Sequence, residues 1–119
     1  MIQPGDTVTV DFAGVTGVKR RPAVVISTTR YHDERPDVIL AILTTQTQTA
    51  TTSLDYILQD WKEAGLHRES AFRAFLFTTP ATTITPIGHC TTRDWKAIQE
   101  RLGRAIFIED ITNVTDSAE

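Results

Sequence analysis

The chain has 119 residues, with 12 basic against 15 acidic side chains and a net charge of −3. That is enough for one domain with a real core, and not for two. No apolar run approaches bilayer-spanning length, the first residues lack a signal-peptide pattern, and the single cysteine excludes an internal disulfide, so a cytoplasmic protein is expected.

The charge is unevenly placed. Glu109, Asp110, Asp116 and Glu119 make residues 109–119 purely acidic, so residues 1–108 carry 12 basic and 11 acidic side chains, a balance of +1. The acidic tail reads either as a solvated end or as a competitor for a basic groove. His32, His67 and His89 are dispersed, and only His89 neighbours Cys90, so no metal centre and no cofactor are expected; Cys90 reads as a buried thiol.

In chain order, Asp6 to Phe12 alternates polar and apolar residues, which predicts a half-buried strand presenting Val8, Val10 and Phe12 on one face. Ala13 to Arg21, with Gly14 and Gly17, predicts a hairpin loop reaching into solvent. Pro22 has no N–H and disfavours a helical Arg21, so it is expected to open the second strand, Ala23 to Ser27, with Arg21 at its entrance. The triplet Lys19-Arg20-Arg21 is read either as a solvated loop or as a set of phosphate ligands on a rigid strand end.

The third strand is expected over Val38 to Leu43, a continuous apolar run that belongs at the centre of the sheet, with Thr28 to Asp37 as a polar loop before it. Thr44 to Ser53 is a low-complexity polar run and reads as a flexible loop. Asp55 to Leu58 predicts a short strand, and Asp60 to Gly65 a single helical turn capped by Asp60. Ser70 to Phe77 is the next strand, interrupted by Arg73, and Thr83 to Cys90 a further one bent at Pro86 and Gly88. Thr91 then caps a helix with Asp94 at its third position; Trp95, Ile98 and Leu102 share a face, and Gly103 marks the end. Five or six short strands and one amphipathic helix predict a small curved sheet or partly open barrel.

Several pieces in fixed order resemble the MazF/PemK family of toxin–antitoxin toxins, small endoribonucleases. They are Pro4-Gly5-Asp6, Val10-Asp11-Phe12, Arg20-Arg21-Pro22-Ala23-Val24-Val25-Ile26-Ser27 and Leu43-Thr44-Thr45-Gln46, then Asp60-Trp61-Lys62, Ala64-Gly65-Leu66, Ser70 with Arg73, Ile87-Gly88 and Asp94-Trp95, together spanning about residues 4 to 106. The resemblance implies a mainly β fold, an SH3-like barrel of five to seven strands with a C-terminal helix, forming one domain over 1–119. It implies a homodimer that binds single-stranded RNA, a cognate antitoxin protein whose disordered tail occupies the same groove, and operator DNA reached only through the antitoxin complex.

Carried over by position, Arg21 and Thr44 are the implied catalytic pair, with Lys19, Arg20, Gln46, Ser70 and Arg73 as RNA-binding supports. RNA brings its own nucleophile, the 2′-hydroxyl, so the absence of a Ser-His-Asp set or a carboxylate pair is no obstacle. Arg21 suits stabilisation of phosphate charge better than proton donation, since a guanidinium seldom releases its proton at neutral pH. This chain departs from its relatives in having Thr16-Gly17-Val18 where many carry Glu and Gln, and Phe75 where some carry an acid. The general base is therefore unassigned, with His32, Asp33, Glu34 and His67 as candidates. Two other readings stay open: a catalytically silent barrel that binds nucleic acid or an antitoxin peptide, and a toxin directed at a protein such as gyrase.

Overall fold

The computed structural model describes residues 1–108; the acidic stretch 109–119 lies outside the described residues. The chain runs β1 (Asp6–Gly14), β2 (Gly17–Val25), a short α1 (Thr29–Glu34), β3 (Asp37–Thr44), β4 (Tyr56–Ile57), β5 (Ala71–Pro80), β6 (Thr85–His89) and α2 (Thr92–Ala105). The strands form one antiparallel sheet in the order β4-β5-β3-β2-β1-β6, curled into a half-open barrel.

The unbroken apolar runs of β2 and β3 follow from burial on both faces. Val24, Ala41 and Leu43 point into a core shared with Phe72, Leu58, Cys90 and Ile98 of α2. Their neighbours Ala23, Val25, Val38 and Leu40 point the other way, into a second core with Val8, Val10 and Ile84. A strand with one fully solvated face would alternate; the runs Ala23–Val25 and Val38–Leu43 do not because each face carries buried apolar side chains.

The two sheet edges are joined by the segment that follows β4. The Thr7 hydroxyl donates to the Ala64 carbonyl, and Gly65, at φ +83°, lies so close to Ile87 and Gly88 of β6 that a Cβ there would overlap the Ile87 carbonyl. Glycine is the residue that accepts both the positive φ and the approach.

Buried Asp94 anchors α2 to this segment. Its carboxylate accepts from the Tyr56 hydroxyl at 2.6 Å and from the backbone N–H groups of Gln59 and Asp60 at 3.0 and 2.8 Å, while Thr91 caps the helix as its sequence predicts. Asp60 serves the same junction: its carboxylate takes the Thr91 hydroxyl at 2.6 Å and the Arg93 guanidinium. Those contacts hold it well below the ordinary carboxylate range, the Arg93 hydrogen bond first.

Four local expectations change. The hairpin loop is shorter than Ala13–Arg21, because β1 and β2 stay paired out to Gly14 and Gly17, leaving Val15 and Thr16 as the turn. Pro22 is the sixth residue of β2, opposite Thr9, and is tolerated because the ladder to β3 begins only at Ala23. Thr28 caps the short α1 by accepting from the Tyr31 N–H. Finally, α2 passes through Gly103 to Ala105, since its packed face outweighs the cost of one glycine, about 1 kcal/mol.

Candidate nucleic-acid interface

Where β2 parts from β3 a cleft opens. Ala23 opposes Ile42 in the last rungs of the ladder, and the same register continued two places sets Arg21 opposite Thr44, beyond the paired residues. Both side chains line a cleft of about 380 Å³ together with Lys19, Ile42, Arg73, Phe12, Phe75 and the β1–β2 turn.

The opposite wall depends on an irregularity in β5. Between two matched positions β3 advances from Ala41 to Leu43 while β5 retreats from Leu76 to Phe72, so β5 carries two extra residues, and Ala74 among them has φ +57°. Such a bulge bends the strand and re-aims its side chains. Its exposed residues here are Arg73 and Phe75, both on the cleft. Phe75 is 53% exposed, and its ring stands edge-on to Phe12 with centroids 5.8 Å apart; Phe12 in turn meets Phe77 at 5.4 Å.

Arg21 is half-buried, and among the described residues no carboxylate forms an ion pair with it. A guanidinium held on a strand has the geometry to take two oxygens of an anion. The Thr44 hydroxyl accepts from the Gln46 N–H at 3.1 Å, a turn that fixes its oxygen and leaves its hydrogen for an outside acceptor. Arg73 is held loosely, 3.4 Å from the Thr49 hydroxyl and 4.0 Å from the Asp55 carboxylate.

The remaining positions separate. Arg20 is engaged by the sheet surface: its guanidinium meets Asp11 at 3.0 Å and the Thr85 hydroxyl. Gln46 borders a second cleft of about 310 Å³, lined also by Lys19, Arg20, Arg21, Leu43 and Thr45, which touches the first at Lys19 and Arg21. Ser70 is buried, with its hydroxyl donating to the Arg68 carbonyl at 2.9 Å. Of the candidate bases, Glu34 is paired with Arg30, and His32 lies between the buried Ser27 hydroxyl and the Ile2 carbonyl. None of His32, Asp33, Glu34 or His67 lines either cleft.

Phe12 and Phe75 are the site residues that sequence reasoning passed over. An aromatic two places from an arginine in a strand, Arg73 and Phe75, was the available signal, because those positions share a face.

Residues 3–106 match the family described as the PemK-like, MazF-like toxin of type II toxin–antitoxin systems. The chain belongs to this family. No curated protein sequence matches it. Among solved structures, this MazF/PemK toxin is similar to a mycobacterial endoribonuclease in complex with its cognate antitoxin, at TM-score 0.74 and 17% identity over 88% of this chain and 94% of the other. A Deinococcus radiodurans structure described as MazE-MazF aligns at TM-score 0.71 and 14% identity, over 87% and 94% of the two chains. A second mycobacterial endoribonuclease gives TM-score 0.68 and 16% identity over 87% and 89%. The SH3-like half-barrel with its C-terminal helix is thus the MazF fold.

Proposed function

We infer that this MazF/PemK toxin is an endoribonuclease that cleaves single-stranded RNA at the Arg21–Thr44 cleft. The observation that carries the reading is the placement of Arg21 opposite Thr44 in a cleft whose walls are cations and aromatic rings, the combination that holds an unpaired polynucleotide.

In the reaction the 2′-hydroxyl oxygen attacks the adjacent phosphorus, the bond from phosphorus to the 5′-oxygen breaks, and the ends are a 2′,3′-cyclic phosphate and a 5′-hydroxyl. The Arg21 fork neutralises the charge that builds on the non-bridging oxygens, and the Thr44 hydroxyl donates to the same phosphate. Lys19 and Arg73 hold the flanking backbone, with Arg20 and Gln46 on the adjoining cleft; Ser70 supports the start of β5 from within. The described lining of the cleft offers no imidazole or carboxylate. The 2′-hydroxyl gives up its proton to a general base that this lining leaves unassigned, and the 5′-oxygen takes up a proton as it departs.

The protein works as a cytoplasmic homodimer restrained by a cognate antitoxin whose peptide covers the same cleft, and it reaches operator DNA only within that complex. The antitoxin-bound state named for the mycobacterial neighbour supports this partner.

The test is incubation of the purified toxin with single-stranded RNA in EDTA. Cyclic-phosphate ends, absent with a folded Arg21→Ala variant, are expected; a requirement for a divalent metal would overturn the mechanism. RNA binding without any cyclic ends would favour the catalytically silent barrel.

A further inference from the structure

The two clefts that meet at Arg21 differ in chemistry. One is walled by the Phe75 ring, braced edge-on by Phe12, and has an aliphatic floor at Ile42. The other has polar groups, Thr45 and the Gln46 side chain, where the first has rings. A phosphate held by Arg21 would stand where the two clefts meet, with unlike surroundings on either side. Each volume, about 380 and about 310 Å³, lies within the usual range for a small-ligand site, about 300–1,000 Å³.

We propose that these clefts are base subsites of opposite selectivity: Phe75 stacks the base on one side of the scissile phosphate whatever its identity, and Gln46 reads the edge of the base on the other. The proposal rests on the RNA-cleaving function inferred above. Stacking is tolerant because every base has a π face, whereas an amide with one acceptor and two donors distinguishes base edges. Phe75 suits the first role because the residue is about half exposed on the cleft while its ring stands edge-on to Phe12.

The experiment measures cleavage of RNA randomised at the two positions flanking the cut, with product ends sequenced. Phe75→Ala is expected to lose about 5- to 150-fold in kcat/KM, the range for one base–aromatic stack, with the sequence preference unchanged. Phe75→Leu, which keeps apolar bulk against Phe12, is expected to lose as much, and Phe75→Tyr to restore cleavage. Gln46→Ala is expected to broaden the preference on one side only.

A non-cleavable RNA, 2′-deoxy at the cut and carrying 2-aminopurine on each side in turn, reads stacking directly. Quenching is expected on one side with wild type and is lost in Phe75→Ala. If wild type cleaves RNA but Phe75→Ala or Phe75→Leu cleaves as well, or quenching survives Phe75→Ala, the subsite proposal falls and the ribonuclease reading stands. If wild type cleaves no RNA, both fall.

Discussion

Arg20 and Arg21 are adjacent in sequence yet differently employed, because successive strand residues face opposite sides of the sheet. Arg20 meets Asp11 and Thr85, whereas Arg21 faces the cleft without a paired acid among the described residues. Arg21→Ala is therefore expected to lower kcat by about 10²- to 10³-fold, the usual cost of removing one group that stabilises developing charge. Arg20→Ala should cost only a few-fold, and single-turnover cleavage measures both. At Thr44, Thr44→Ser keeps the donor and should remain active, while Thr44→Val should not. With no imidazole or carboxylate on the described cleft wall, the pH–rate profile of cleavage should rise with pH and show no inflection in the histidine range.

At the level of elements, the joints between β4, the segment after it and α2 depend on one buried carboxylate. Asp94→Ala strands the Tyr56 hydroxyl and two backbone donors, so a loss of about 3 kcal/mol or more in urea unfolding is expected. The β5 bulge is a second such device. Ala74 at φ +57° carries a cost of roughly 1 kcal/mol that glycine would not, so Ala74→Gly should be neutral or slightly stabilising in urea unfolding. The Asp60–Gly65 expectation illustrates how local reading goes astray. The segment does form one turn, with the Ala64 N–H on the Asp60 carbonyl at 3.2 Å, but the Asp60 carboxylate serves Thr91 and Arg93 some thirty residues away. A capping pattern reports what a side chain can do nearby and is silent on distant partners.

Across the whole molecule, charge and protonation govern two measurable properties. RNA affinity should fall with salt, and each of Lys19→Ala and Arg73→Ala should reduce the slope of log K against log salt by about 0.7 if each cation neutralises one phosphate of a single strand. Stability should decline in alkali. Burial pushes the Cys90 thiol from 9.0 up to about 12, and burial with the Asp94 hydrogen bond pushes the Tyr56 phenol from 10.0 up to about 12. Above about pH 9 the unfolded chain loses these protons while the folded chain keeps them. Stability is then fully present below that pH and is lost as pH rises toward 12; denaturation midpoints from pH 7 to 11 measure this, and Cys90→Ala should flatten the earlier part of the decline.

The sequence by itself determined where strands and the packing helix lie, because apolar periodicity and the Thr91–Asp94 cap act within a few residues. The ordered motif pieces singled out Arg21 and Thr44 and the family that residues 3–106 match. Only the tertiary structure decided that the two share a cleft, since that follows from where the β2–β3 ladder stops. It also decided that a bulge of two residues brings Phe75 and Arg73 to the opposite wall, and that Gly65 meets β6 to join the sheet edges. Those features depend on which strand stands beside which and in what register, and registers are set by contacts between residues tens of positions apart, which local periodicity does not encode.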